Sequence, residues 1–511
     1  MNKRMIVRTL GFLLLAEAAL LLLPVFTALY YQVRFPNEPN DVFYYLATAG
    51  MAAALGLLCI SVRPKSKTIY ARDGFAIVSL GWIVISLVGA VPFTITGEIP
   101  NYLDALFEIV SGFTTTGASI LSTNGGGAPG DLSGLSHASL LWRSFSHWLG
   151  GMGVLVFLMA VLPLAGGGGH IHLMRAESPG PDVGKLVPNS KQSARLLYLI
   201  YTGLTVAEIL FLYVGHYFGT DDKMDFFSSV CLTFGTAGTG GFAVRITGFA
   251  EYTHYSQTVI AVFMMLFGIN FSIYFLLLCR RFKDVFRDEE LRAYLGVLGI
   301  AVILVTVNTF KTAYVTFGDA LHHSFFQVTS IMTTTGFSTA DFNAWPNFSR
   351  MILFLLMFLG ASAGSTGGGV KVVRCILMLR AAKVGARRLS HPRNVTSITL
   401  NGKPVSNDTL KSTTTYFIVY SVIYVTSVFL VALDPNLHSI TAVVTGVAAT
   451  LNNIGPALEE LGPTCNYGFV WPLSKIVFIF DMLLGRLEIF PLLFLVMPSA
   501  YKRHFRLHKP Y

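Results

Sequence analysis

The sequence predicts an all-α polytopic membrane protein: four helix–pore loop–helix repeats around a pseudo-fourfold pore, preceded by an extra N-terminal helix pair. Three observations carry that prediction. Long apolar runs recur along the whole chain, basic residues crowd into alternate loops, and one Thr/Gly segment occurs four times in equivalent places. Composition agrees, with 53% hydrophobic and only 13% charged residues among 511, whereas a soluble domain carries about 25% charged residues. A cytosolic enzyme, a disordered chain and a secreted disulfide scaffold are thereby excluded.

The first run, Leu10–Leu29, follows Lys3, Arg4 and Arg8 in the manner of a signal peptide. It is too long for such an apolar region, no small-residue cleavage site follows, and a second span begins near Val42, so it reads as a retained helix. Residues 1–69 form the N-terminal pair. The runs Ile77–Ile95, Leu196–Tyr213, Val259–Leu278, Leu295–Val307, Met351–Leu359, Tyr416–Leu433 and Ile476–Met497 follow. Crossing a bilayer core takes about 20 apolar residues, and most of these runs qualify once flanking small residues are counted. They divide the remainder into repeats at 70–190, 191–290, 291–400 (which holds a glycine-rich intramembrane loop) and 401–511. Two crossings plus eight is an even number, which puts both termini on one side.

Charge gives the same answer independently. Of 37 Lys and Arg, 29 fall at the N-terminus, in four loops or at the C-terminus, and the intervening loops are acidic or nearly uncharged. This positive-inside pattern places both termini in the cytoplasm. The net charge of +10 is therefore topological, and no nucleic-acid partner is implied. Cys59, Cys231, Cys279, Cys375 and Cys465 lack metal-ligand spacing and read as small core residues.

Internal similarity is the most informative feature. Phe107-Glu-Ile-Val-Ser-Gly-Phe-Thr-Thr-Thr-Gly117 aligns without gaps to Phe326-Gln-Val-Thr-Ser-Ile-Met-Thr-Thr-Thr-Gly336, and weaker copies occur at Phe234–Phe242 and Thr450–Pro456. A short helical stretch precedes each copy. Irregular backbone cannot face lipid, because its unpaired polar groups are too costly there; it is tolerated where it lines a water-filled cavity or is buried in protein. One Thr-Thr-Thr-Gly segment could be a helix C-cap beside a polar loop, but four in equivalent places point to a common axis. Gly117, Gly241, Gly336 and Gly455 permit positive φ, so that carbonyls turn inward, and neighbouring threonines add neutral hydroxyls. The expected ion ligands are Thr115, Thr116 and Gly117; Thr239, Gly240 and Gly241; Thr334, Thr335 and Gly336; Asn453, Ile454 and Gly455. In the second set Gly238 and Gly240 compete for the lining position. Such a ring replaces the hydration shell of a monovalent cation, which is the logic of a K⁺ filter. Each short helix would aim its partially negative C-terminal end at the ion. Asp104, Asp221, Asp222, Asp225, Asp319, Asp341, Glu459 and Glu460 are expected to gather cations at the outer mouth.

Two features invite a gate. Gly360, Gly364, Ser365, Thr366, Gly367, Gly368 and Gly369 lie in one glycine-rich run within the third repeat's second span, and each glycine costs a helix about 1 kcal/mol relative to alanine. An unwound loop there could lie across the pore; tight small-residue packing between helices is the plainer alternative. Arg486 sits inside an apolar run, where a charge faces a cavity or a partner; the partner would be Glu108 or Asp481, not Glu488. Lys371, which ends the loop, is either part of the gate or an interface anchor.

Other motifs compete. Gly360-Ala-Ser362-Ala-Gly364 matches a nucleophile elbow, with His147 as a distant base, but lacks the α/β context of that motif. Gly364–Lys371 resembles a phosphate-binding loop with Val370 where its lysine belongs. His170 and His172 lack further metal ligands. The basic run Arg380–Arg393 suits lipid headgroups or a regulatory subunit.

The sequence resembles the membrane subunit of Trk-type potassium uptake systems, in the Trk/Ktr/HKT superfamily. The resemblance spans essentially the whole chain and rests on Ser111–Ser119, Ser146–Gly153, Arg175–Pro181, Gly364–Lys371 and Gly485-Arg-Leu-Glu488. It departs at Asn453-Ile-Gly-Pro-Ala457, where the family pattern ends in glycine, and that leaves a less selective K⁺/Na⁺ pathway as the alternative. The resemblance implies K⁺ uptake across a bacterial inner membrane by a homodimer. It implies gating by the glycine-rich loop and Arg486, and a cytoplasmic TrkA-type regulatory subunit that binds NAD or ATP/ADP. It implies no enzyme activity, and no cofactor in this chain beyond K⁺ as the transported ion.

Overall fold

The computed structural model describes residues 2–35, 38–64, 66, 70–122, 130–153, 190–245, 248–391 and 397–496. The motif Arg175–Pro181, His170, His172, Arg393 and the basic C-terminus lie outside them. Among the described residues the regular elements are helices apart from one hairpin, β1 (Thr399–Leu400) with β2 (Lys403–Pro404).

The N-terminal pair is α1 (Lys3–Leu20) with α2 (Leu22–Arg34), then α3 (Val42–Ser61). α1 and α3 cross backbone to backbone: a Cβ on Gly11 would stand 2.7 Å from Gly56 O, and one on Gly56 2.9 Å from Gly11 O. Small residues allow that approach, and dispersion rather than hydrophobicity holds apolar helices together in lipid.

Four segments then share one plan of long helix, short inserted helix, turn and second pass. The long helices are α4 (Ala71–Gly89, extended by α5, Val91–Ile95), α8 (Ser190–Tyr217), α13 (Glu289–Thr309) and α17 (Asn407–Val431). The inserted helices are α6 (Tyr102–Phe113), α9 (Phe226–Gly238), α14 (Phe317–Met332) and α18 (Ile440–Leu451). At 12 to 16 residues they are too short for a core of about 30 Å. Asn101, Asp225, Thr316 and Ser439 cap their N-termini, satisfying donors the helix leaves open.

The second passes of the second and fourth repeats differ from the continuous runs expected, whereas the interruption expected in the third is present. After α7 (His137–Gly151) in the first repeat, the second repeat uses α10 (His254–Phe267) and α11 (Phe271–Leu278), bent by 90°. A six-residue α12 (Phe282–Arg287) leads into the third repeat, where α15 (Asn347–Phe358) and α16 (Val372–Ser390) flank the glycine-rich segment. The fourth has α19 (Pro472–Arg486) and α20 (Phe490–Val496), parted where Glu488 and Ile489 take φ of 53° and 70°. Among the described residues, six helices are therefore long and apolar enough to cross a membrane, or seven if the bent pair is one span. Two cysteines also depart from expectation: Cys279 and Cys465 are exposed, not in the core.

Candidate functional site: a ring of four Thr/Gly turns

All four inserted helices end in the same way. Thr116, Gly240, Thr335 and Ile454 donate their N–H back five residues, to Ser111, Gly235, Ser330 and Ala449 O. Thr115, Thr239, Thr334 and Asn453 donate to Gly112, Thr236, Ile331 and Thr450 O. This is the Schellman termination, which requires one left-handed residue just past the helix. That residue is Thr115 (φ 57°), Thr239 (57°), Thr334 (60°) or Asn453 (55°). A β-branched residue there is strained, and such strain persists only where its surroundings over-determine it.

Two residues later the chain turns left-handed again, at Gly117 (78°), Gly241 (76°), Gly336 (86°) and Gly455 (96°). The repeated left-handed, x, left-handed pattern sets the register of the second repeat at Thr239-Gly240-Gly241. The glycines also face one another's backbones in cyclic order. A Cβ on Gly117 would stand 1.9 Å from Gly240 O, on Gly241 2.0 Å from Thr335 O, on Gly336 2.0 Å from Ile454 O, and on Gly455 2.6 Å from Thr116 O. The contacts run from the first repeat through the second, third and fourth and back, so the turns close a ring. With positive φ and so little space, a side chain at any of these four positions would be strained and would displace the carbonyl it faces.

Side chains brace the ring from behind. Thr114 Oγ1 lies 2.8 Å from Thr116 Oγ1, and Thr333 Oγ1 2.8 Å from Thr335 Oγ1. Asn453 Nδ2 donates across to Thr116 Oγ1 at 2.9 Å. His147 Nδ1 donates to Gly112 O at 2.8 Å, with its ring against Gly240 and Phe242. His147 therefore packs behind the second repeat's turn. Ser362 Oγ has no hydrogen-bond partner among the described residues, so no Ser–His pair forms and the nucleophile-elbow reading has no geometry.

The glycine-rich segment is an unwound loop lying against the third and fourth turns. Gly360 N–H donates to Val370 O at 2.9 Å, closing its neck. Gly368 N–H donates to Thr334 Oγ1 at 2.6 Å. A Cβ on Gly367 would meet Thr333 O at 3.0 Å, and one on Gly368 Asn452 O at 2.5 Å. Lys371 Nζ turns back onto Gly367 and Gly368 O, which makes it part of this loop. Gly364 O accepts from Phe271 N at 3.0 Å, at the break of the second repeat's pass, and Ser365 Oγ bonds Ser362 O.

Arg486, at the end of α19, donates to Thr366 O in the loop and to Gly150 and Gly151 O in the first repeat. The two carboxylates weighed as partners are engaged elsewhere, as is Glu488, expected not to pair with Arg486. Glu108 pairs with Arg143, Asp481 accepts from Ser427 Oγ, and Glu488 pairs with Arg374.

On the side of the inserted-helix N-termini a cavity of about 410 Å³ opens over all four ring glycines. The expected acidic mouth needs correction. Only Asp341 of that set lines the cavity, and Arg143 and Arg245 line it too. Asp104 pairs with Lys475, Glu459 with Arg350, and Asp221 and Asp225 accept from Ser256 Oγ and Ser228 N. Ala457 is fully buried, donates its N–H to Leu461 O at 2.8 Å and does not line the cavity. Arg143 and Tyr467 were missed in the sequence, although an arginine amid Leu140-Leu-Trp-Arg-Ser-Phe145 is a signal in itself.

Residues 48–503 match the TrkH family, described as a cation transport protein. The chain is 35% identical to the Trk system potassium uptake protein TrkH of Salmonella typhimurium, covering 98% of this chain and 100% of that one. It is 32% identical to the Trk system potassium uptake protein TrkG of Escherichia coli, over 96% and 97%. It also superimposes on the crystal structure of the potassium transporter TrkH from Vibrio parahaemolyticus with a TM-score of 0.82, at 30% identity over 98% and 100% of the two chains.

Proposed function

The chain belongs to the TrkH family of cation transport proteins, and on that premise we propose that it takes up K⁺ across a bacterial inner membrane through the Thr/Gly ring. The observation that carries this reading is the closed ring itself. Four identical helix terminations deliver backbone carbonyls to one locus, and a side chain at any of the ring glycines would crowd it. Thr115–Gly117, Thr239–Gly241, Thr334–Gly336 and Asn453–Gly455 supply neutral oxygens in place of water. The inserted helices direct their partially negative ends there.

The gate is the loop Gly360–Lys371 together with Arg486. The loop touches two of the four turns, and the guanidinium of Arg486 adds a positive charge bridging the loop to the first repeat, which opposes cation passage. The protein works as a homodimer with a cytoplasmic nucleotide-binding TrkA-type subunit, and the basic helix α16 faces that subunit or lipid headgroups. The test is ⁸⁶Rb⁺ uptake into proteoliposomes with K⁺ and Na⁺ as competitors. K⁺ must inhibit at far lower concentration than Na⁺; equal inhibition by Na⁺ overturns the selective reading.

A further inference from the structure

We infer that the buried pair Glu108–Arg143 is a positioning element that fixes the cavity-side aperture of the ring, and with it the preference for K⁺ over Na⁺. The inference rests on the filter reading above. Glu108, on α6, is 0% exposed, and Arg143, on α7, 4%. Burying two charges is tolerable only if their remaining donors and acceptors are satisfied, and here the partners are the extended segments that leave the ring.

Glu108 Oε1 meets Arg143 Nε at 2.5 Å and accepts from Ser119 Oγ at 3.0 Å, while its Oε2 accepts from Ile120 N at 2.9 Å. Ser119 and Ile120 stand two and three residues after Gly117 in the first repeat. Arg143 then crosses to the second repeat. One terminal nitrogen donates to Ala243 O at 2.8 Å, and the guanidinium carbon lies 3.6 Å from the centre of the Phe242 ring. Phe242 and Ala243 follow Gly241. The chain of contacts continues into the fourth repeat. Tyr467 N–H donates to Ser119 O at 2.8 Å, and its hydroxyl donates to Gly455 O, also at 2.8 Å. One network thus ties the exits of the second, first and fourth repeats to a single ion pair.

The third repeat lies outside this network and uses neutral contacts, among them Phe249 N–H of the second repeat on Ser338 O. Gln327 holds the position equivalent to Glu108; Ser330 Oγ donates to Phe337 O at 2.6 Å, and His323 Nδ1 lies 2.9 Å from Thr339 Oγ1. The ion pair therefore ties segments of different repeats together, whereas Gln327 Nε2 donates within its own repeat, to Ala340 O at 3.5 Å. A carbonyl ring discriminates between ions by the spacing and number of its oxygens, and the Glu108–Arg143 network sets that spacing between repeats.

The experiment compares ⁸⁶Rb⁺ uptake by purified Arg143→Gln, Glu108→Gln, the doubly neutral Glu108→Gln/Arg143→Gln and Gly336→Ser, reading the ratio of Na⁺ to K⁺ concentrations that halve uptake. Arg143→Gln is expected to lower that ratio about tenfold or more, with maximal uptake reduced far less. The double variant leaves no unpaired buried charge and keeps the readout if Arg143→Gln does not fold; its ratio is expected to fall as well. A fall with Gly336→Ser but an unchanged ratio in every folded pair variant overturns the inference and leaves the filter reading standing. No fall in any variant, Gly336→Ser included, overturns both.

Discussion

Gly336→Ala is the sharpest perturbation of the ring. Gly336 has φ of 86°, and its added Cβ would stand 2.0 Å from Ile454 O and 2.8 Å from Pro456 Cδ. An L-residue in the left-handed region costs about 1–2 kcal/mol, which a protein with about 5–15 kcal/mol of stability survives. The contact is the larger effect. Ordinary contact begins at 3.4 Å, so Ile454 O must retreat by the difference between 3.4 and 2.0 Å, about 1.4 Å. That displacement exceeds the difference in radius between Na⁺ and K⁺, and a ring so distorted loses its basis for preferring either. In the competition assay the Na⁺/K⁺ inhibition ratio should fall about tenfold or more, a loss of about 1.4 kcal/mol of discrimination. Gly203→Ala is the control: nothing lies within 4 Å of its Cβ position in α8, and alanine suits a helix better by about 0.5–1 kcal/mol. A folded Gly336→Ala protein that discriminates like the unmodified one would refute the assignment of this turn to the ion path.

Arg486→Ala removes the guanidinium that bridges Thr366 O to Gly150 and Gly151 O; if it takes about 1.4 kcal/mol off the barrier, Rb⁺ efflux rises about tenfold, and an unchanged rate counts against the gate. Lys371→Met removes the ammonium bonded to Gly367 and Gly368 O; a hydrogen bond to a charged group is worth about 1.5–3 kcal/mol, so amide hydrogen exchange across residues 360–369 should quicken about tenfold or more, and identical exchange contradicts it. Glu98, in the loop before α6, is pushed by burial from 4.5 up to about 7, against hydrogen bonds from Ser139 and Ser136 that lower it. The native state holds that proton more tightly, so its stabilisation is complete below pH 4.5 and is lost as pH rises through about 7, by at most about 3 kcal/mol. Melting of the unmodified protein should therefore fall more steeply between pH 5 and 8 than that of Glu98→Gln, and parallel curves would show that Glu98 does not titrate there.

The ring was legible because its chemistry repeats in the sequence. Thr-Thr-Thr-Gly at 114–117 and 333–336 announces itself, and Asn453-Ile-Gly455 follows by position. The register of the second repeat was not legible, since Gly238, Gly240 and Gly241 all suit a tight turn; the left-handed pair Thr239 and Gly241 decides it. The broken second passes escaped hydropathy, which averages over Gly268–Asn270 and Leu487–Ile489 without registering a change of direction. Acidic residues misled because sequence shows charge without showing its use. Asp225 caps a helix and Asp104 neutralises Lys475, so neither contributes a free charge to the mouth. Arg143 escaped because its surroundings are only weakly apolar, although the rule that singled out Arg486 applies to it equally.

The breaks in three second passes answer one another. Ser362 N–H donates to Gly268 O, and Phe271 N–H to Gly364 O, so the loop of the third repeat satisfies backbone groups freed by the bend of the second. Glu290 Oε1 accepts from Ala363 N at 2.7 Å and Val373 N at 3.3 Å, holding both ends of the loop at once. Arg374, at the loop's exit, pairs with Glu488 in the break of the fourth repeat. Unwound backbone at membrane depth is tolerable because each break supplies the partners that another lacks. The stretch between the anchors, residues 365–368, is bracketed by Gly364 and Gly369, with φ of 71° and 67°. Its outward contacts include Gly368 N–H on Thr334 Oγ1 and Arg486 on Thr366 O. The ends are thus held by Glu290 and Arg374, and the buried middle by Thr334, Phe267 O, Lys371 and Arg486. On the gate proposed above, opening would have to break the contacts of this stretch with Thr334, Arg486 and Lys371, which is what Arg486→Ala and Lys371→Met probe.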